Sequence, residues 1–270
     1  PPVKSFDEKS LPALPLTHNL MRSVGTLREY RGREQLYAQQ ARQALDTLKE
    51  VAGIRSAESS NRIEGVEAAP ERIKKLMEKS TAPETRSEQA IAGYRDVLNT
   101  IHTRHADIEF STGVVRQFHR DLFKYTSSRG GDWKSTGNDI IEEHPDGTEV
   151  VRFETVPAHR TPEYMESLHE RFDRAWREGN VDPLLLIAAY VLDFLCIHPF
   201  RDGNGRMARL LTLLLLYKAD YGVGQYISLE KLVEDSRESY YAALYRSSQG
   251  WHQAEHDLHP WPGYFVGTLL

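Results

Sequence analysis

The chain has 270 residues, 40% hydrophobic and 27% charged, with a net charge of −5. That suits a globular protein of one large domain, or one domain with a smaller appendage, and the acidic balance argues against bulk nucleic-acid binding by this fragment. The single cysteine, Cys196, excludes an intrachain disulfide and fits a reducing, cytoplasmic setting. Lying between Leu195 and Ile197, it reads as a small core residue rather than a nucleophile. No apolar run approaches the roughly 18 residues of a membrane span, because Asp193 breaks the first candidate and "LLTLLLLY" is too short. The start carries no signal-peptide pattern. Beginning at "PPVKS" without a methionine and ending at "FVGTLL", the sequence reads as a trimmed segment.

In chain order, residues 1–20 are proline-rich and read as extended. Over 34–48, Leu36, Ala38, Ala41, Ala44, Leu45 and Leu48 fall at helical spacing. A second helix, "IRSAESSNRIE", closes at Gly65 as a C-terminal cap. "APERIKKLMEKS" opens on Pro70 with Glu71 in its first turn. "SEQAIAGYRDVLNTIHTR" is helical with Ser87 as its cap, and Ser111 or Thr112 caps "TGVVRQFHRDLFKY". After the loop "TSSRGGDWKSTGN", two β-prone runs flank "HPDG" and predict a hairpin at about 139–153. Helical patterning returns after Pro162 and includes "PLLLIAAYVLDFLCI", "SRESYYAALYRSS" and "WPGYFVGTLL". No repeat or low-complexity tract is present. The class is mainly α with one small hairpin.

The densest chemistry lies at "HPFRDGNGRMARL", residues 198–210, between two very apolar stretches. Gly203 and Gly205 permit backbone conformations closed to other residues and let a ligand approach the main chain. A helix starting near Asn204 or Gly205 points unpaired N–H groups and its positive dipole end into the joint, an anion site usually filled by phosphate. Arg206 and Arg209 lie three apart, on neighbouring parts of one helix face. Asp202 could ligate a Mg²⁺ bridging phosphates, and an unperturbed imidazole at His198, pKa about 6.5, can accept a proton. Phe200 reads as a packing anchor. A nest, a carboxylate, two guanidiniums and a base make a phosphate-transfer site.

"HPFRDGNGRMAR" resembles the full signature of the Fic family, His-Pro-Phe-x-Asp/Glu-Gly-Asn-Gly-Arg-x-x-Arg, without departure. The resemblance implies a Fic-type helical bundle with a β-hairpin flap over the active site, and transfer of AMP from ATP to a hydroxyl side chain of a target protein. His198 would deprotonate that hydroxyl, which attacks the α-phosphorus as pyrophosphate leaves. Asp202 would hold Mg²⁺, Gly203, Asn204 and Gly205 would cradle the phosphates, Arg206 would contact them and Arg209 would take the γ-phosphate. The phosphorylating Doc-type branch departs at the second glycine; Gly205 is intact, so nucleotidyl transfer is favoured.

A second motif, "ESSNRIEG", places Ser60 and Glu64 one helical turn apart before Gly65. A glutamate in a last turn opposes the helix dipole, so Glu64 would gain from a cation elsewhere; the plainer alternative is an exposed glutamate before a cap glycine. The stretch resembles the Fic autoinhibitory motif Ser/Thr-x-x-x-Glu-Gly/Asn in the subgroup that carries it N-terminal to the core. Glu64 would then pair with Arg209, deny it the γ-phosphate and restrain transfer. In some relatives this glutamate positions a water that removes AMP, so a de-AMPylase or dual-activity enzyme is the alternative. The resemblance covers 184–217 firmly and extends over 54–76.

Other signals are weaker. The hairpin sits where the family has its flap, whose edge strand can pair with an extended target segment. "SRESYYAAL" resembles the helix flanking the adenine, with Tyr240 or Tyr241 against the base, or else packed in the core, and Ser248 within hydrogen-bonding reach. "HQAEH", His252 to His256, fits a zinc-protease pattern, but no third ligand is placed and it reads as a helix connection. "RGGDWKSTGND" lacks P-loop spacing and reads as a loop. The expected organisation is an N-terminal helical region over 1–105, with the autoinhibitory helix at about 54–65, and a catalytic core over 106–270. The non-enzymatic alternative is an ATP-sensing regulator with a DNA-binding module beyond Leu270. A homo-oligomer contact on the N-terminal helices is one way the inhibition would be released.

Overall fold

The structure, a computed structural model, describes residues 3–40, 42–144 and 146–270. Among the described residues it contains eleven α-helices, short 3₁₀ turns and one two-stranded sheet. The helices are α1 (His18–Gln40), α2 (Arg42–Ile63), α3 (Pro70–Met77), α4 (Arg86–Arg104) and α5 (Thr112–Leu122), followed by strands β1 (Ile140–Glu143) and β2 (Glu149–Phe153). Then come α6 (Thr161–Glu178), α7 (Pro183–Ile197), α8 (Asn204–Lys218), α9 (Leu229–Asp235), α10 (Arg237–Ser248) and α11 (Pro260–Leu269). No described helix is long and apolar enough to cross a membrane.

The N-terminal third departs most from expectation. The segment expected to be extended forms turns over residues 5–10 and a 3₁₀ turn at Leu11–Ala13, and α1 begins at His18, well before Glu34. Only Leu20 and Leu27 of its first half are buried, seven residues apart, and one contact in seven makes too thin a stripe to read as a period. The two helices expected over 34–48 and from 54 are replaced by α1 and the unbroken α2. Leu36, Ala38 and Ala41, on which the first rested, lie outside the described side chains. The cap of α4 is Thr85, whose hydroxyl accepts from Glu88 N–H at 3.2 Å, and not Ser87. Glu88 explains the choice: Thr85-x-x-Glu88 has capping-box spacing, and its carboxylate reaches back to the Glu84 N–H at 2.7 Å. Ser111 caps α5, accepting from Val114 N–H at 3.2 Å.

Two compact units form, each containing residues from both sides of position 105. One comprises Pro1–Thr17, Trp133–Asn204 and Glu238–Val266. Its core is α7, buried along its whole length from Leu184 to Ile197, which is why that run carries no polar face. Tyr190 meets Phe172 of α6 edge-on at 4.9 Å between ring centroids, and Trp261 of α11 donates its indole N–H to Ala188 O at 2.8 Å. The one acid of the helix, Asp193, accepts from Ser5 Oγ at 2.5 Å and Trp251 Nε1 at 2.6 Å, while burial pushes its carboxyl up to about 7. Cys196 is buried in this core and its thiol is pushed up by burial, as suits a packing residue. β1 and β2 pair antiparallel with Ile141 opposite Val151 and Glu143 opposite Glu149, and Gly147 takes the left-handed conformation in the turn. Pro145 of that turn lies outside the described residues.

The other unit comprises His18–Asp132, Gly205–Arg237 and Gly267–Leu270. In it α2 packs on α3, α4 and α9. α4 crosses α5 so closely that a Cβ on Gly93 would lie 2.0 Å from Leu122 O. The α2–α9 contact is polar at its end: Glu234 accepts from Ser59 Oγ at 2.8 Å and from Arg62 Nη1 at 2.9 Å.

Candidate active site

In the first unit, α7 ends when His198 adopts the left-handed conformation, φ 52° and ψ 58°, with its N–H still donating to Phe194 O at 2.9 Å. A non-glycine residue there is uncommon, though histidine tolerates it better than most. The turn carries the imidazole off the helix. Its Nδ1 lies 3.2 Å from Leu195 O, and since a carbonyl only accepts, the proton belongs on Nδ1 and Nε2 is the basic nitrogen.

Phe200 is fully buried, packed on Trp133 and Phe194 as the anchor of the loop. Asn204 clamps it from both sides, accepting from the Phe200 N–H at 2.9 Å and donating to its carbonyl at 2.7 Å. The Asn204 side chain is thus committed to shaping the loop, and its contribution to a phosphate would come through its backbone N–H. Gly203 has φ 81°, a conformation that disfavours any Cβ. Asp202 is exposed and its Oδ1 accepts from the Gly203 N–H at 2.6 Å.

Residues that sequence reasoning passed over complete this loop. Lys134 is buried, and its ammonium donates to Ile197 O at 3.0 Å, Thr155 Oγ1 at 2.8 Å and Asn138 Oδ1 at 2.7 Å. Burial pulls its pKa down to about 8 against the opposing charge of Asp139. Asn138, at the foot of the hairpin, donates to His198 O at 3.2 Å and Phe200 O at 2.6 Å. Nothing in "RGGDWKSTGND" marks this lysine as buried, since a lysine in a glycine-rich loop is ordinarily solvated.

In the second unit, Arg206 and Arg209 stand on the first turns of α8, both buried. The Arg206 guanidinium lies over the Phe123 ring, 5.4 Å from its centroid. Arg209 is gripped by α2: Nε donates to Ser60 Oγ at 2.8 Å, and Nη2 to Ser60 O at 2.9 Å and Glu64 Oε1 at 2.7 Å. A Cβ on Gly205 would sit 2.3 Å from Glu64 Oε1. The Glu64 carboxylate therefore rests on the N-terminal turn of α8, where a helix favours an anion. Gly65, at φ 73°, ends α2 and turns Glu64 into this position.

Tyr240 is buried in an aromatic cluster with Tyr241, Trp261 and Tyr264, whereas Tyr241 is 44% exposed and is the one of the pair that could meet a base. Ser248 is buried and its hydroxyl donates to Tyr245 O at 3.0 Å, within its own helix. His252 Nε2 contacts Glu154 O at 2.7 Å and His256 Nε2 contacts Ser5 Oγ at 2.9 Å, so the two histidines serve different partners. No metal-binding group of three or more His, Cys, Asp or Glu occurs among the described residues. A Mg²⁺ brought in with phosphates needs only one or two protein carboxylates, and Asp202, exposed beside the Gly203 turn, fits that demand.

These features describe a helical protein whose loop after α7 carries a histidine and leads into a helix N-terminus, groups that could serve as a proton acceptor and a phosphate site. Residues 109–216, two fifths of the chain, match the Fic/DOC family, so the chain carries a Fic domain there. It is similar to the protein adenylyltransferase fic-1 of Caenorhabditis elegans, with 32% identity over 142 residues, 47% of this chain and 26% of that protein. The match thus spans about a quarter of that relative's length. A Fic family protein from Desulfovibrio desulfuricans G20 shares the fold with a TM-score of 0.77 at 24% identity, over 94% of this chain and 73% of that one. So does Fic-1 (aa134–508) from C. elegans, with a TM-score of 0.67 at 19% identity, over 93% and 68% of the two chains. At family level the resemblance is to Fic-type adenylyltransferases.

Proposed function

We propose that the chain is a protein adenylyltransferase that moves AMP from ATP to a Tyr, Thr or Ser hydroxyl of a target protein, and that Glu64 restrains it. The observation that carries this reading is the left-handed turn at His198, which presents an imidazole protonated on Nδ1 in the loop that leads into the N-terminus of α8. His198 Nε2 accepts the hydroxyl proton of the target. The oxygen attacks the α-phosphorus and the bond to the pyrophosphate oxygen breaks. The backbone N–H groups of Gly203 to Gly205 and the guanidinium of Arg206 receive the phosphate charge, which the positive end of α8 stabilises. Arg209 takes the γ-phosphate once Glu64 releases it. Mg²⁺, held by Asp202, would supply neutralising charge to the phosphates when bound.

The target would dock as an added strand on the hairpin, whose Ile141, Val150 and Val151 are exposed. Adenine would lie toward Tyr241. The test is intact mass after incubation with ATP and Mg²⁺, on the protein and on lysate. An AMP-sized adduct is expected strongly with Glu64→Gly, weakly with the parent, and not with Glu64→Gly plus His198→Ala. Parent protein that instead strips AMP from a modified target, through Glu64, would establish the reverse reaction. ATP binding with no adduct in any sample would favour a nucleotide sensor.

A further inference from the structure

Four consecutive backbone carbonyls run through the loop that carries His198, and one short segment captures all of them. Ile197 O takes Lys134 Nζ at 3.0 Å, His198 O takes Asn138 Nδ2 at 3.2 Å, Pro199 O takes the Lys134 N–H at 2.8 Å and Phe200 O takes Asn138 Nδ2 at 2.6 Å. Ile197 is the last residue of α7, so its carbonyl has no partner within the helix, and an ammonium there also meets the negative end of the dipole. Lys134 is 4% exposed, and its remaining two side-chain bonds go to Asn138 Oδ1 and Thr155 Oγ1. Thr155 in turn donates to Asn138 Oδ1 at 3.0 Å, and its N–H donates to Asp139 Oδ1 at 2.9 Å. The bonds form a closed network in which each member orients another.

We infer that Lys134 and Asn138 are positioning residues for His198, fixing the left-handed turn that aims its imidazole and tying the foot of the hairpin to the same loop. This deepens the proposed adenylyl transfer and rests on His198 being its base. Burying an ammonium is costly, and a methionine of similar shape would fill the space without that cost. What only the ammonium supplies is three directed bonds that leave the loop one geometry. A side chain misplaced by an ångström can slow a reaction on the order of a hundredfold. Phosphate binding should depend on the network much less, because Arg206 and Arg209 are carried by α8.

The test introduces Lys134→Met and Asn138→Asp separately into the Glu64→Gly protein. Asn138 is half-buried, so the second variant keeps its fold if the first does not. Three quantities are read: backbone amide exchange over 197–203 and over 184–194, the imidazole ¹⁵N tautomer of His198, and kcat and KM for ATP. Exchange over 197–203 is expected to rise about tenfold or more while 184–194 stays protected, since local opening has its own free energy. The Nδ1–H tautomer should lose its dominance. Transfer should lose on the order of ten- to a hundredfold in kcat, with KM for ATP changing less than about threefold. Unchanged exchange and tautomer in both variants would overturn the inference. So would loss of protection spread evenly along α7, the mark of a general structural role. If the Glu64→Gly protein transfers nothing, exchange and tautomer still decide the positioning role, and the loss falls on adenylyl transfer alone.

Discussion

Replacing Glu64 by glycine should tighten ATP binding by an amount the structure allows to be worked out. The ion pair joins a guanidinium that is 6% exposed to a carboxylate that is 33% exposed, at 2.7 Å. A charge-assisted hydrogen bond contributes about 1.5–3 kcal/mol net, and the partial exposure of Glu64 argues for the lower half of that range. At about 1.4 kcal/mol per factor of ten, the gain is roughly ten- to fortyfold in affinity. The gain should be specific to a ligand that reaches Arg209. Calorimetric titration with a non-hydrolysable ATP analogue and with ADP, each with Mg²⁺, separates the cases. The triphosphate should show the full gain and ADP little of it. Glu64→Gln, which keeps the shape and removes the charge, should fall between glycine and the parent. Equal gains for both nucleotides, or none for either, would refute the competition between Glu64 and a γ-phosphate for Arg209.

Further outcomes follow from other contacts. Glu234→Ala removes the acceptor of Ser59 and Arg62 at the α2–α9 contact; it should lower the melting temperature and raise self-modification of otherwise unaltered protein, and a stability loss with no rise in the adduct would separate the α2–α9 contact from the proposed restraint by Glu64. Gly93→Ala drives a Cβ into the backbone carbonyl of Leu122, so urea unfolding should show a loss of about 1–3 kcal/mol, and a neutral result would mean that α4 and α5 do not cross so closely. The Asp193 carboxyl, raised to about 7 by burial, holds its proton more tightly in the folded state than in the unfolded chain. Its contribution is therefore fully present below about pH 4 and disappears as pH rises toward and through 7. The stability of the parent relative to Asp193→Asn should fall over that window in thermal melts, and parallel curves would contradict the shift.

What the sequence disclosed and what it withheld divide along a physical line. The groups from His198 to Arg209 are contiguous, and their chemistry is odd between two apolar helices, so they stand out without coordinates. Ser60 and Glu64 were picked out by the resemblance to the Fic autoinhibitory motif, since a last-turn glutamate by itself reads equally as an exposed residue before a cap glycine; the structure puts Arg209 against both. Lys134 and Asn138 were invisible because their role lies in backbone acceptors about sixty residues away, and acceptors leave no trace in side-chain identity. The choice between Tyr240 and Tyr241 was hidden for a related reason: neighbouring helical tyrosines differ only in which face is covered, and here Trp261 and Tyr264 cover Tyr240. α1 was half missed because its first half buries only Leu20 and Leu27, which leaves almost no amphipathic pattern to read there.

The left-handed backbone of His198 sets durability against chemistry at a single residue. Holding a side chain with a Cβ in that region costs on the order of 1 kcal/mol, and glycine would adopt it without strain. A His198→Gly chain should therefore melt higher than the parent while being unable to accept a proton. On the proposed transfer, a screen of this protein for thermal robustness alone would drift toward a sturdier molecule without its base, so activity has to be selected together with the fold.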